Sequence, residues 1–150
     1  MNSRYKLVFV IAILSVPLFL KAQKDSIVLA CPFEHGSGRE PKQAYYWDPP
    51  DRKIVMISQV DTLVLSCITG KVATIELAED NKTEIVIYMK DYYFWYSGNI
   101  KSRVVKGQTI SARQAIASYA LGTELEFRMF KHEDIMDPRN LLECKIPKGD

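Results

Sequence analysis

A chain of 150 residues, 47% hydrophobic and 25% charged, is sized for one globular domain with its own core, and this composition excludes a disordered or fibrous protein. Its formal charge of +2 depends on the first 22 residues, which hold three of the 20 basic side chains (Arg4, Lys6, Lys21) and none of the 18 acidic ones, so the chain from Gln23 onward carries −1. That balance leaves no basic patch to argue for nucleic acid as a partner.

The opening segment has the pattern of a secretory signal peptide over residues 1–22. Arg4 and Lys6 supply the positive start, Leu7 to Leu20 an apolar run broken only by Ser15 and Pro17, and Ala22 a small residue at the cleavage point. The run is too short for a membrane span. The expectation is an exported chain, periplasmic or secreted, with no transmembrane segment after signal removal. An uncleaved anchor is one alternative. Lipidation at Cys31 is another, since Val28-Leu29-Ala30-Cys31 faintly resembles a lipobox, but Lys24 and Asp25 separate it from the apolar run.

Beyond the signal, Ser26 to Ala30 is a short β-prone run. Cys31 to Pro41 reads as loop, with Pro32, Gly36, Gly38 and Pro41 as breakers. Tyr45-Tyr46-Trp47 is an aromatic cluster closed by the turn Asp48-Pro49-Pro50-Asp51. Strand follows strand from there: Lys53 to Ser58, Leu63 to Ile68, Lys71 to Leu77, Thr83 to Lys90 and Tyr92 to Tyr96, separated by turns at Asp61-Thr62, Thr69-Gly70, Glu79 to Lys82 and Gly98-Asn99. Within Thr83 to Lys90, period-two alternation puts Ile85 and Ile87 on one face and Val86 and Tyr88 on the other. Ser111 to Leu121 is the exception: Ala112, Ala115, Ile116, Tyr119 and Ala120 fall near helical spacing, and Ser111 suits a cap, which predicts a short helix near 111–121. Such closely spaced strands predict a mostly β, antiparallel sandwich or barrel. One domain is expected over residues 23–150.

Three cysteines leave one thiol over from any single bridge. Cys67 sits in an apolar run and reads as a buried small hydrophobe. Cys31 and Cys144 flank the domain, and a bridge between them would staple its ends; export permits it. No Cys-x-x-Cys is present, and His35 and His132 read as surface loop residues.

Several segments, in order, resemble the LytM/lysostaphin-type zinc endopeptidases. Thr62 to Val72, with Gly70 at its turn, is similar to the family's T-P-V-x-A-x-x-x-G-x-V hairpin. Thr83 to Lys90 resembles G-N-x-V-x-I-x-H, and Tyr92 to Tyr96 resembles Y-Y-T-L-Y. Lys106-Gly107-Gln108-Thr109-Ile110 matches K-G-Q-x-I, with Gly107 in a turn that side chains resist. Glu124 to Phe130 and Asp137-Pro138-Arg139-Asn140-Leu141 resemble the closing H-L-H-F strand and the D-P-x-x-L tail. The likeness is clearest over residues 51–144. K-G-Q-x-I also occurs in lipoyl- and biotinyl-type domains, but those carry their lysine at a tight hairpin tip, whereas Met89-Lys90 precedes an aromatic strand. The resemblance implies a LytM-like duplicated hybrid motif, a barrel-sandwich hybrid, with the helix near 111–121 added.

It also implies a missing reaction. The family holds zinc with His, Asp and His, keeping a position open for an ionisable water. Carried over by register, the His-x-x-x-Asp falls on Asp51 and Val55, the histidine after Y-A on Gly98, and the His-x-His pair on Glu124 and Glu126. None is the usual residue. The expectation is therefore a domain that has lost zinc, has no cofactor and carries no catalytic residue. Glu124 and Glu126, two apart on a strand, point the same way; with Asp51 they would suit calcium or magnesium better than zinc. The plainer reading is two solvated glutamates paired with Arg128 or Lys90. Paired carboxylates also raise glycoside hydrolysis, but nothing places a sugar between them.

Tyr92, Phe94 and Tyr96 share one strand face, and Tyr93 and Trp95 share the other. The second face, with Arg128, is a candidate surface for glycan or peptide, or simply cross-strand aromatic packing. Inactive members of the family act as activators or scaffolds of cell-wall hydrolases. The resemblance thus implies a cell-envelope binding or regulatory module, with a cell-wall hydrolase or a peptidoglycan fragment as partner. The alternatives are a divergent metal-dependent peptidoglycan endopeptidase with a carboxylate-based site, and a small secreted structural protein.

Overall fold

The computed structural model describes residues 27–35, 37–39 and 52–144. Residues 1–22, expected to be a signal peptide, as well as Asp51 and the Tyr45-Tyr46-Trp47 cluster, lie outside the described residues. Every regular element described is a β-strand: β1 (Ser37–Arg39), β2 (Ile54–Ile57), β3 (Leu63–Leu65), β4 (Gly70–Leu77), β5 (Thr83–Met89), β6 (Tyr92–Gly98), β7 (Ile100–Ser102), β8 (Thr109–Ile110), β9 (Ala115–Tyr119), β10 (Leu125–Lys131) and β11 (Asp134–Met136).

The strands form two antiparallel sheets. The larger runs β1-β2-β10-β6-β5-β4-β8, and the smaller runs β3-β9-β7. β10 is the organising strand. One edge pairs with all of β6, while the other is shared by β2, over Leu125 to Phe127, and β11, over Met129 to Lys131. Alternation decides which face turns inward. Ile85, Ile87, Phe94, Tyr96, Leu125, Phe127 and Met129 are buried on one side of the large sheet, packed with Val64, Ile116, Ala117 and Tyr119 of the small one. The result is a sandwich; its sheets do not close into a barrel.

One buried polar contact ties the layers. The Cys67 amide donates to the Tyr96 hydroxyl at 2.8 Å, so neither group is stranded in the core. Burial pushes the Cys67 thiol up to about 12, which keeps it an inert, protonated filler.

Two expectations are corrected. The segment predicted as a helix near 111–121 is a turn followed by β9. Gln114 N–H donates to Ser111 O, the Gln114 side chain accepts from Ser111 N–H, and Arg113 takes φ 66°, a left-handed geometry that stops a helix. From Ala115 the chain is the middle strand of the small sheet, paired on both sides. Its alanines mimic helical spacing because Ile116, Ala117 and Tyr119 are all buried. The stretch read as loop from Cys31 to Pro41 contains β1, whose backbone pairs with β2 despite the surrounding glycines.

Gly107 has φ +86°, and its amide donates to Val72 O at 2.8 Å, so the K-G-Q-x-I turn is latched to β4. The first and last described segments meet. Leu29 forms a parallel bridge with Leu142, and Cys31 and Cys144 are disulfide-bonded across 113 residues of sequence.

Candidate functional site

The outward face of the large sheet is ordered in rows, because directly opposed residues on antiparallel strands share a face. One row reads Glu76 (β4), Glu84 (β5), Ser97 (β6), Glu126 (β10) and Val55 (β2). The next reads Thr74, Val86, Trp95 and Arg128. Glu84, Trp95, Ser97, Glu126 and Arg128 line a dimple of about 20 Å³.

Glu126 is its electrostatic centre. Its side chain is only 13% exposed, and three cations converge on it. Lys53 Nζ donates to Oε2 at 3.2 Å, Lys82 Nζ to Oε1 at 3.1 Å and Arg128 Nη2 to Oε2 at 3.4 Å. Lys82 reaches in from the β4–β5 hairpin, where it also pairs with Asp80 at 3.0 Å. Burial alone would push the Glu126 carboxyl up. The Lys82 hydrogen bond and the charge and hydrogen bond of Lys53 outweigh it and hold the group below its ordinary value. A carboxylate held ionised in this way is a poor proton acceptor at neutral pH.

The sequence-derived positions separate here. Val55 and Glu126 are directly opposed across β2 and β10. Val55 is buried and aliphatic. Glu124 is exposed and lies just before β10. Gly98 is not on this face: it opposes Leu125 on the core side, and a Cβ there would lie 2.8 Å from the Glu124 carbonyl oxygen. The outward residue at that level is Ser97, which the alternation from Tyr93 and Trp95 predicts and which the motif register passed over. Lys53 and Lys82 were not anticipated; they lie 73 and 44 residues from Glu126 in sequence, and no local pattern couples them. Tyr93, Trp95 and Arg128 do come together, with Arg128 opposite Trp95 and Phe130 opposite Tyr93. Among the described residues, no group of three or more His, Cys, Asp or Glu side chains is placed to hold a metal ion.

The histidines serve the framework. His35 donates its backbone N–H to Asp61 Oδ2 at 3.0 Å, with Nδ1 3.2 Å from Oδ1, and the buried Ser58 hydroxyl donates to Oδ2 at 2.6 Å. The carboxylate lies between serine and imidazole, so this is no nucleophile–base pair. It ties the segment after Cys31 to the β2–β3 turn. His132 occupies the β10–β11 turn with φ 53°.

No family model and no curated protein matches this sequence. Solved structures do. Csd3 of Helicobacter pylori superposes with a TM-score of 0.66 at 16% identity, covering 79% of this chain and 34% of that one, so the chain spans about a third of that protein. A chain of the SpoIIQ–SpoIIIAH pore-forming complex gives 0.61 at 15% identity, covering 78% of this chain and 92% of that one. The catalytic domain of the antimicrobial peptidase lysostaphin from Staphylococcus simulans gives 0.52 at 17%, with 69% and 90% covered. Among the described residues, no helix is long and apolar enough to cross a membrane. The fold of this chain is that of the LytM/lysostaphin-type peptidases.

Proposed function

We propose that this is an exported, catalytically inactive LytM-type domain that works as a binding or regulatory module of the cell envelope, with a cell-wall hydrolase or a peptidoglycan fragment as its partner. The observation that carries the reading is the pairing of Val55 with Glu126. These positions were assigned to two zinc ligands by separate register counts, and ligands of one metal must be neighbours. They are neighbours here, but one is a buried aliphatic and the other a carboxylate committed to Lys53, Lys82 and Arg128. Both oxygens of Glu126 already accept from cations, and zinc would have to displace them. The same fold occurs in a peptidase and in a pore-forming assembly, so the fold alone does not require catalysis.

The test is activity. The chain from Gln23, incubated with purified peptidoglycan and with glycine-rich peptides, with and without added zinc, is expected to release no new termini, while crosslinking in its own envelope captures a hydrolase or wall fragment. Zinc-dependent cleavage that disappears in Glu126→Ala would replace this reading with the divergent peptidase.

A further inference from the structure

We propose that the aromatic end of the outward sheet face is a platform for a neutral glycan chain; this deepens the envelope-module reading and rests on it. Two residues along from the Trp95 row, the outward residues are Lys71, Tyr88, Tyr93, Phe130 and Ile135, opposed in turn across β4, β5, β6, β10 and β11. Tyr88, Tyr93 and Phe130 therefore form a line with the strand spacing of about 4.8 Å. Trp95 extends it, its ring 5.9 Å from that of Phe130, while the Tyr88 and Tyr93 rings are 5.4 Å apart. The line lies four residues, about 13 Å, along the strands from Glu126. It is distinct from the former metal level.

Cross-strand packing accounts for Trp95 and Phe130, which are half-buried. Tyr88 and Tyr93 also pack on each other, yet they stay 41% and 37% exposed on a face that no described strand crosses. Contiguous exposed aromatics of this kind mark binding surfaces. Charge selects the occupant. Lys71 is the one ionised side chain in the line, and over the face as a whole the carboxylates of Glu76, Asp80, Glu84 and Glu126 offset the cations of Lys53, Lys71, Lys82 and Arg128. The face thus offers no net field to recruit a polyanion or a polycation. It offers flat rings rimmed by hydroxyls and by the polar groups of Ser97, Glu84 and Arg128. A sugar ring has the matching form, with apolar C–H faces and hydroxyl edges. The dimple has room for about one water, so the ligand lies across the sheet as a chain rather than inside a pocket.

The chain holds two tryptophans, so Trp47→Phe leaves Trp95 as the single reporter. Titration of that variant with the β-1,4-linked tetramer of N-acetylglucosamine is expected to give a saturable blue shift of Trp95 emission. Affinity should fall at least tenfold when Tyr88→Ala and Tyr93→Ala are added, with far-UV circular dichroism unchanged. No saturable shift, or equal affinity in the aromatic-deleted variant, overturns the platform. Saturation by a proline-rich peptide alone overturns it too, and gives the face to a protein partner. Capture of a hydrolase or wall fragment by the parent chain without any sugar binding overturns the platform and leaves the module reading standing; absence of both capture and sugar binding in the parent overturns both.

Discussion

Replacing Cys31 and Cys144 together by alanine is expected to lower stability by about 2–5 kcal/mol, read as an earlier denaturant midpoint with a steeper slope as the unfolded chain expands. The bridge closes a loop of 113 residues, nearly the whole domain. Cross-links that span long loops restrict the unfolded chain most in the entropic account, although strain and residual structure reduce the gain. A native-state contribution adds to this. Leu29 N–H donates to Leu141 O and Glu143 N–H to Leu29 O, both at 2.8 Å, and Leu29 and Phe33 are fully buried beside these contacts. Without the covalent tie, the first segment is still held by that short bridge, by Ala30 N–H on Cys67 O and Leu65 N–H on Pro32 O, by His35 on Asp61, and by Phe33 packing on Tyr119 at 4.6 Å. The free Cys67 is buried and serves as an internal control: Cys67→Ala should cost no more than a small cavity does, and it should not change the response to reductant. An unchanged midpoint in the double variant would show that the ends are not held by the bridge.

Glu126→Gln is expected to destabilise the domain by about 1–3 kcal/mol at pH 7, between the values of exposed and buried ion pairs. The size follows from what is left behind. Lys53 has a side chain only 19% exposed and would lose its ion pair with Glu126. Lys82 keeps Asp80, and Arg128 is open to solvent, which holds the loss below that of a fully buried pair. The effect has a pH signature. The folded carboxyl is held below its unfolded value, so its stabilisation is fully present above the ordinary glutamate range and is lost as pH falls through the folded value. The parent should therefore weaken on acidification below about pH 4, and the gap to Glu126→Gln should narrow there. Asp61 and Asp137 are lowered in the same direction and will steepen the acid limb of both proteins, which is why the difference between them, not either curve alone, reports on Glu126. Equal stability at pH 7 would mean that the three cations contribute nothing at this position.

How far the sequence foretold these features depends on the range of the interactions that decide them. Ile85 and Ile87 against Val86 and Tyr88, or Phe94 and Tyr96 against Tyr93 and Trp95, were readable because a strand alternates by two and each residue's neighbours decide its face. The left-handed glycine of K-G-Q-x-I was equally local. β9 was misread because its length and its alanines fit two periods at once, and only pairing with β3 and β7 settles which period applies. Gly98 was carried onto the wrong face for the purpose of a site because a motif register counts residues and ignores the pleat. The partners of Glu126 were invisible for a different reason. Arg128, two residues on, was foreseen; Lys53 and Lys82 arrive from other strands and hairpins, and an ion pair of that range leaves no trace in local pattern.

Glu126 belongs either to a salt-bridge network or to a metal site. Calorimetric titration of the chain from Gln23 with zinc, and separately with calcium, decides this most directly when run beside Glu124→Ala/Glu126→Ala. The structure predicts no stoichiometric heat from either ion, in either protein. Tight one-to-one binding of zinc or calcium, abolished in the double variant, would contradict it and would mean that carboxylates had rebuilt the site that histidines occupy in the active peptidases.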